Sequence, residues 1–262
     1  MLISTVKTET FVMPYAKFGK GRRTLVILPG VSLHPVIQSA GAVERMFEEY
    51  GDEYTFYLFD RKEKIQSGYS VADMARDTAA AMRHLGLRKA DVYGASQGGM
   101  MAQVLAAENP RLVRKLVLAS TLAEPNAVSR EVFAVWERLA AAGDAAALNR
   151  AVFEKVYSPE YRETYRAAFA MLEKTGTPEE MRRFGVLVAA CAAFDAKSML
   201  AKITHPTLVV GSERDEVVTA EASRAIAAAL GCKLYLYDGY SHAVYDEAPD
   251  FRERMFAFLR EE

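Results

Sequence analysis

Three residue types scattered along this chain could together activate a hydroxyl. Ser96 stands in Gly94-Ala95-Ser96-Gln97-Gly98, a G-x-S-x-G pattern. A serine hydroxyl is a poor nucleophile unless it is exposed and within reach of a base. A sharp strand-to-helix turn lifts it off the end of a sheet, and glycines at 94 and 98 leave room for that turn. The helix that follows adds N–H groups and a dipole favouring negative charge. A structural turn would use the same glycines, so the neighbours must decide. An apolar run Ala90–Tyr93 comes before, and a helical pattern over Met100–Asn109 follows, stopping before Pro110. The spacing does not suit dinucleotide binding, which wants G-x-G-x-x-G, and Gly19-Lys20-Gly21 is not a phosphate-binding loop.

A base must be one of four histidines. His84 sits at the end of a helical stripe. His205 precedes Pro206 at a strand entrance, where a capping role suffices. His34 follows the Pro29-Gly30 turn, in a position to line a site, but lies before the serine. His242 lies in Asp238-Gly239-Tyr240-Ser241-His242, a loop after the strand Lys233–Tyr237. That places it at the C-terminal edge of the strands, as Ser96 is, where α/β sheets bind ligands. The base in turn needs an acid to fix its tautomer. The loop Gly211-Ser212-Glu213-Arg214-Asp215-Glu216 offers three carboxylates. Asp215 is the first choice because it comes just before the apolar Val217-Val218, and Glu213 is the alternative. After Leu118 the chain reads Ala119-Ser120-Thr121, with no acid.

These loops need a scaffold. Short apolar runs at Thr24–Leu28, Tyr54–Phe59, Ala90–Tyr93, Lys115–Leu118, Pro206–Val210 and Lys233–Tyr237 predict strands buried on both faces of a parallel sheet. An antiparallel pair near Leu2–Val6 and Phe11–Phe18 opens the chain. Amphipathic helices lie between: Val36 to Phe47, a stripe from Val71 to Leu85 behind the capping box Ser70–Asp73, and Phe251 to Leu259. Alternation of this kind predicts an α/β fold with helices on both faces of the sheet. From about Leu122 to Ile203 no strand pattern appears. Helices are expected at Ser129–Ala142, Asp144–Tyr157, Pro159–Lys174 and Pro178–Phe194, with a short one after Asp195. The organisation is therefore a first core part, residues 1–121, an all-helical insertion, 122–203, and a second core part, 204–262.

Composition bounds the partners. The 262 residues carry 33 Lys+Arg against 34 Asp+Glu, a net charge of −1. That excludes strong bulk attraction to nucleic acid or an anionic membrane. No stretch approaches the roughly 18 apolar residues of a membrane span, and MLISTVKTET lacks the apolar core of a signal peptide. The expectation is a cytoplasmic protein. Cys191 and Cys232 are too few for a disulfide scaffold, and neither has metal-ligand spacing.

Taken together, these features resemble the α/β-hydrolase fold family: G-x-S-x-G after a strand, the order serine, acid, histidine, and Ser241-His242-Ala243-Val244-Tyr245-Asp246-Glu247-Ala248-Pro249 before an apolar helix. The resemblance covers essentially the whole chain. It implies a Ser96–His242–Asp215 triad and makes residues 122–203 a cap over the site. It also implies an oxyanion hole from two backbone N–H groups, those of Gln97 and of Val31 in Pro29-Gly30-Val31. The family often has His-Gly in that loop, so its bracing here is open. The activity implied is hydrolysis of a small or medium carboxylic ester, or a related lactone or thioester, with no cofactor or metal. The same apparatus in this family also serves carbon–carbon cleavage, acyl transfer and cofactor-free peroxidation, and a non-catalytic ligand-binding protein is a further alternative. The aromatic residues of the insertion, Phe133, Trp136, Phe153, Tyr157, Tyr165, Phe169 and Phe184 with Met171, are expected to pack the helices, a few lining a pocket. Arg182 and Arg183 are expected on a solvated helix face, or facing an acidic substrate.

Overall fold

The computed structural model describes residues 1–173 and 175–261. Eight strands form one sheet: β1 (Leu2–Lys7), β2 (Val12–Gly19), β3 (Arg23–Leu28), β4 (Tyr54–Phe59), β5 (Ala90–Ala95), β6 (Val113–Ala119), β7 (Thr207–Ser212) and β8 (Lys233–Tyr237), in the order β1-β2-β4-β3-β5-β6-β7-β8. β1 with β2 and β2 with β4 are antiparallel; all later pairs are parallel.

Successive residues of the central strands serve opposite cores. In β3, Val26 and Leu28 join one apolar cluster while Leu25 and Ile27 join the other. In β6, Leu116 and Leu118 face the first and Val117 and Ala119 the second. This two-residue period explains why these strands read as continuous apolar runs. The first face is covered by α2 (Val71–His84), α3 (Gln97–Glu108) and α9 (Ala220–Leu230); the second by α1 (Ala40–Phe47), the short α10 (Val244–Glu247) and α11 (Phe251–Arg260).

Between β6 and β7 the chain is helical: α4 (Ala127–Ala142), α5 (Ala145–Val156), α6 (Pro159–Thr164), α7 (Arg166–Leu172) and α8 (Pro178–Ala192), then a 3-10 turn at Lys197–Lys202. The starts follow their caps. α4 begins two residues before the expected Ser129, because Asn126 and Ser129 form a capping box. Asp144 stands outside α5 as its N-cap. The single helix expected over Pro159–Lys174 is two helices, broken at Tyr165; its last residue lies outside the described residues. Thr164 Oγ1 donates to the Glu160 carbonyl at 2.9 Å just before the break, a back-bond of the kind that bends helices. Among the described residues no helix is long and apolar enough to cross a membrane.

Candidate active site

β5 ends at Ala95 and α3 begins at Gln97, so Ser96 alone makes the turn. Its φ of 51° and ψ of −119° are rare for a non-glycine residue. The surroundings hold it there. Its N–H donates to Ala119 O at 2.9 Å, and its carbonyl accepts from Thr121 Oγ1 at 2.8 Å and Gly99 N at 2.9 Å. Thr121 thus occupies the place after β6 where an acid was absent from the sequence, and it braces the Ser96 turn instead. The glycines have measurable reasons. A Cβ on Gly94 would lie 2.4 Å from Gly98 O, and one on Gly98 would lie 1.8 Å from Leu28 O.

His242 and Asp215 meet. The Nδ1 of His242 and Oδ2 of Asp215 are 2.9 Å apart, both side chains buried. The other carboxylate oxygen accepts from Val217 N at 2.8 Å and Val218 N at 3.0 Å. Burial pushes the Asp215 carboxyl up, but the imidazole charge, its hydrogen bond and the two backbone N–H groups outweigh this and hold it below the ordinary range. Glu213 is exposed and pairs with Arg224 on α9 rather than with the histidine ring. The His242 loop is tied to the helical insertion: Ala243 N donates to Val156 O at 2.8 Å and Ser241 Oγ to Lys155 O at 3.2 Å. Among the described residues no hydrogen bond joins the Ser96 hydroxyl to His242, an arrangement common in sites without substrate.

Beside Ser96 lies the loop after β3. The position of a Cβ on Gly30 would be 3.3 Å from Ser96 Cβ and 3.9 Å from its hydroxyl. Among the described residues the N–H groups of Val31 and Gln97 have no hydrogen-bond acceptor; Gln97 is the first residue of α3, where backbone donors lack intrahelical partners.

The other histidines do structural work. His34 bridges the loop after β3 to the insertion, with Nδ1 2.8 Å from Glu180 Oε1 and Nε2 2.8 Å from Thr175 Oγ1. His205 Nε2 lies 3.0 Å from Pro110 O, and His84 ends α2 on the exposed surface. Arg182 and Arg183 diverge. Arg182 is solvated and pairs with Glu179. Arg183 is not on a solvated face: it is buried, with Nη2 2.7 Å from Asp60 Oδ1. Successive helix residues point about 100° apart, so one of two neighbouring arginines turned inward.

Asp60 and Arg61 escaped the sequence reading. Both are buried directly after β4, at the same sheet edge as Gly30 and Ser96. Their signal was two adjacent charges at the C-terminal end of a fully apolar strand. Among the aromatic residues of the insertion, Phe133, Trp136 and Phe184 are packed inside, while Tyr165 is exposed, as is Met171. A surface hollow of about 480 Å³ lined by Arg83, Leu87, Arg88 and Arg111 lies at the opposite, N-terminal edge of β5 and β6, away from Ser96. Among the described residues no group of three or more His, Cys, Asp or Glu is placed to hold a metal ion.

Comparison with known proteins agrees with this architecture. Over 206 residues the chain is 27% identical to a protein of Pseudomonas savastanoi pv. phaseolicola named "Putative carbamate hydrolase RutD", covering 74% of this chain and 77% of that one. It superimposes on the enol-lactonase from Burkholderia xenovorans LB400 with a TM-score of 0.86 at 20% identity, covering 98% and 100% of the two chains. The alpha/beta hydrolase MGS-M2 from a Medee basin deep-sea metagenome library gives a TM-score of 0.88 at 19% identity, covering 99% and 98%. Residues 56–249 match the alpha/beta hydrolase fold family, and the chain belongs to that family.

Proposed function

We propose that the protein is a serine hydrolase of a small or medium carboxylic ester, or of a related lactone or thioester. The observation carrying this reading is the buried 2.9 Å contact between Asp215 and His242 at the sheet edge where Ser96 is held at positive φ. His242 takes the proton of the Ser96 hydroxyl as its oxygen attacks the substrate carbonyl. Asp215 holds the ring in the tautomer that leaves Nε2 free and stabilises the imidazolium. The carbonyl oxygen becomes an oxyanion facing the N–H groups of Val31 and Gln97. Collapse of the tetrahedral intermediate expels the alcohol, which takes the proton from His242. Water, deprotonated by the same ring, then releases the acid and restores Ser96. Residues 122–203 form the cap in this reading, roofing the site.

The name of the curated relative widens the set of bonds to test, because a carbamate carbonyl is open to the same attack. The test is intact-mass analysis after treatment with a fluorophosphonate, beside Ser96→Ala and His242→Ala. One adduct on the wild type, lost in both variants, supports an activated serine. No adduct on folded wild-type protein overturns the reading in favour of a ligand-binding protein. A screen of esters, lactones, thioesters and carbamates then assigns the bond.

A further inference from the structure

One buried guanidinium touches both sides of the site. Arg61 Nη2 lies 2.8 Å from Pro29 O, 3.2 Å from Gly30 O and 2.6 Å from Gln97 Oε1. The Gly30 carbonyl and the Val31 N–H belong to one peptide unit, planar and trans. A donor fixed on that oxygen therefore orients the Val31 N–H in the opposite direction and polarises it. Gln97 supplies the second N–H, and its side chain is pinned at both ends: Oε1 to Arg61, and Nε2 to Leu187 O at 2.7 Å and Cys191 Sγ at 3.1 Å.

The neighbours of Arg61 leave positive charge over. Asp60 accepts from Arg183 Nη2 at 2.7 Å, from Arg61 N at 2.7 Å and from Ile37 N at 3.2 Å. The Asp60 carboxylate is thus taken by the guanidinium of Arg183 and only by the backbone N–H of Arg61, so the buried Arg61 guanidinium has neutral oxygens as its hydrogen-bond acceptors, and its Nε has no partner among the described residues. An uncompensated buried cation is costly. It becomes favourable when an oxyanion forms beside it, which happens only as the reaction proceeds. The insertion closes the network. Glu180, Arg183, Leu187 and Cys191 recur at helical spacing on one face of α8 and contact His34, Asp60 and Gln97 in turn.

Resting on the serine-hydrolase reading, we propose that Arg61 is a positioning residue that sets both oxyanion donors, Val31 N–H and Gln97 N–H, and that α8 holds it in place through Asp60 and Arg183. This supplies the bracing that a histidine gives the loop in other members of the family.

The test compares wild type, Arg61→Lys, Arg61→Met and Gln97→Leu, which keeps its backbone N–H but loses its side-chain anchors. The substrate is whichever ester or carbamate the screen finds, and the inhibitor is a trifluoromethyl ketone that mimics the tetrahedral intermediate. Arg61→Met is expected to lower kcat by about 10²–10³, the worth of one oxyanion donor, with KM within about threefold. Inhibitor affinity is expected to fall by the same factor as kcat/KM. Arg61→Lys, which keeps the charge without the fork, should fall between. If Arg61→Met does not fold, Gln97→Leu and Arg61→Lys carry the test. Variants that fold and keep kcat within twofold overturn the proposal. So do variants that melt earlier while kcat and inhibitor affinity hold, since that marks structural support alone. Wild-type protein that neither labels with fluorophosphonate nor turns over any substrate overturns the hydrolase reading itself.

Discussion

Asp215 and His242 are 27 residues apart in the chain and 2.9 Å apart in space, and the acid spends its other oxygen on two backbone N–H groups. The carboxylate is therefore fixed against the imidazole. Asp215→Asn should leave the fold intact and lower kcat by about 10⁴, through the wrong imidazole tautomer. Glu213→Gln should change kcat by less than twofold, because its carboxylate faces Arg224. Steady-state kinetics on the two variants decides between the acids.

Gly98→Ala tests the turn that carries Ser96. Its Cβ would sit 1.8 Å from the Leu28 carbonyl, backbone that cannot yield without moving the loop that carries Val31. The variant should lose at least about 100-fold in kcat, as a misplaced catalytic group does. Gly41→Ala is the contrast. It lies in α1 with its nearest neighbour, Arg45 Nη1, 3.8 Å away, so it should stabilise the protein by about 0.5 kcal/mol. Denaturant titration and kinetics read both.

The Asp60–Arg183 pair is buried on both sides. Arg183→Met leaves Asp60 short of a charge partner and should cost about 3–5 kcal/mol. The urea midpoint should drop with little change in its slope.

Asp246 gives a pH signature. Burial pushes its carboxyl up to about 6, Glu247 adds to this, and the Tyr157 hydroxyl, Arg252 and His242 oppose it. Between about pH 4 and 6 the unfolded chain is ionised while the folded one still holds the proton. Stability attributable to this group therefore falls as pH rises through that window and levels off above it. Asp246→Asn should stabilise the protein at pH 7.5 by up to about 3 kcal/mol, and the gain should shrink by about half at pH 5. Urea titrations at the two pH values measure it.

The strands, and the meeting of Asp215 with His242 at the sheet edge that carries Ser96, were legible because each rests on local pattern: apolar runs, a glycine-flanked serine, and loops at a common sheet edge. The network around Arg61 was not, because it is made of contacts across the chain. Arg183 reaches Asp60 over 123 residues, and Gln97 reaches Leu187 over 90. Helical spacing puts Arg183, not Arg182, on the face of Leu187 and Cys191, but the carboxylate that makes an inward arginine favourable lies in a distant part of the chain. The break at Tyr165 was hidden for another reason. A side chain bonding back to its own helix leaves the apolar spacing unchanged on either side.

The helices between β6 and β7 do not have one mechanical character. α8 buries Met181, Arg183, Phe184, Leu187, Val188, Ala190 and Cys191 and is bonded into the sheet edge, whereas α6 and α7 bury no residue. Opening α8 would expose apolar surface and strand the Asp60 carboxylate; opening α6 and α7 would expose little that is not already wet. In hydrogen-exchange terms α8 belongs to the slow cooperative unit of the sheet, and the fast unit is α6–α7. The chain's natural seam for breathing thus runs through the middle of the insertion rather than around its edges.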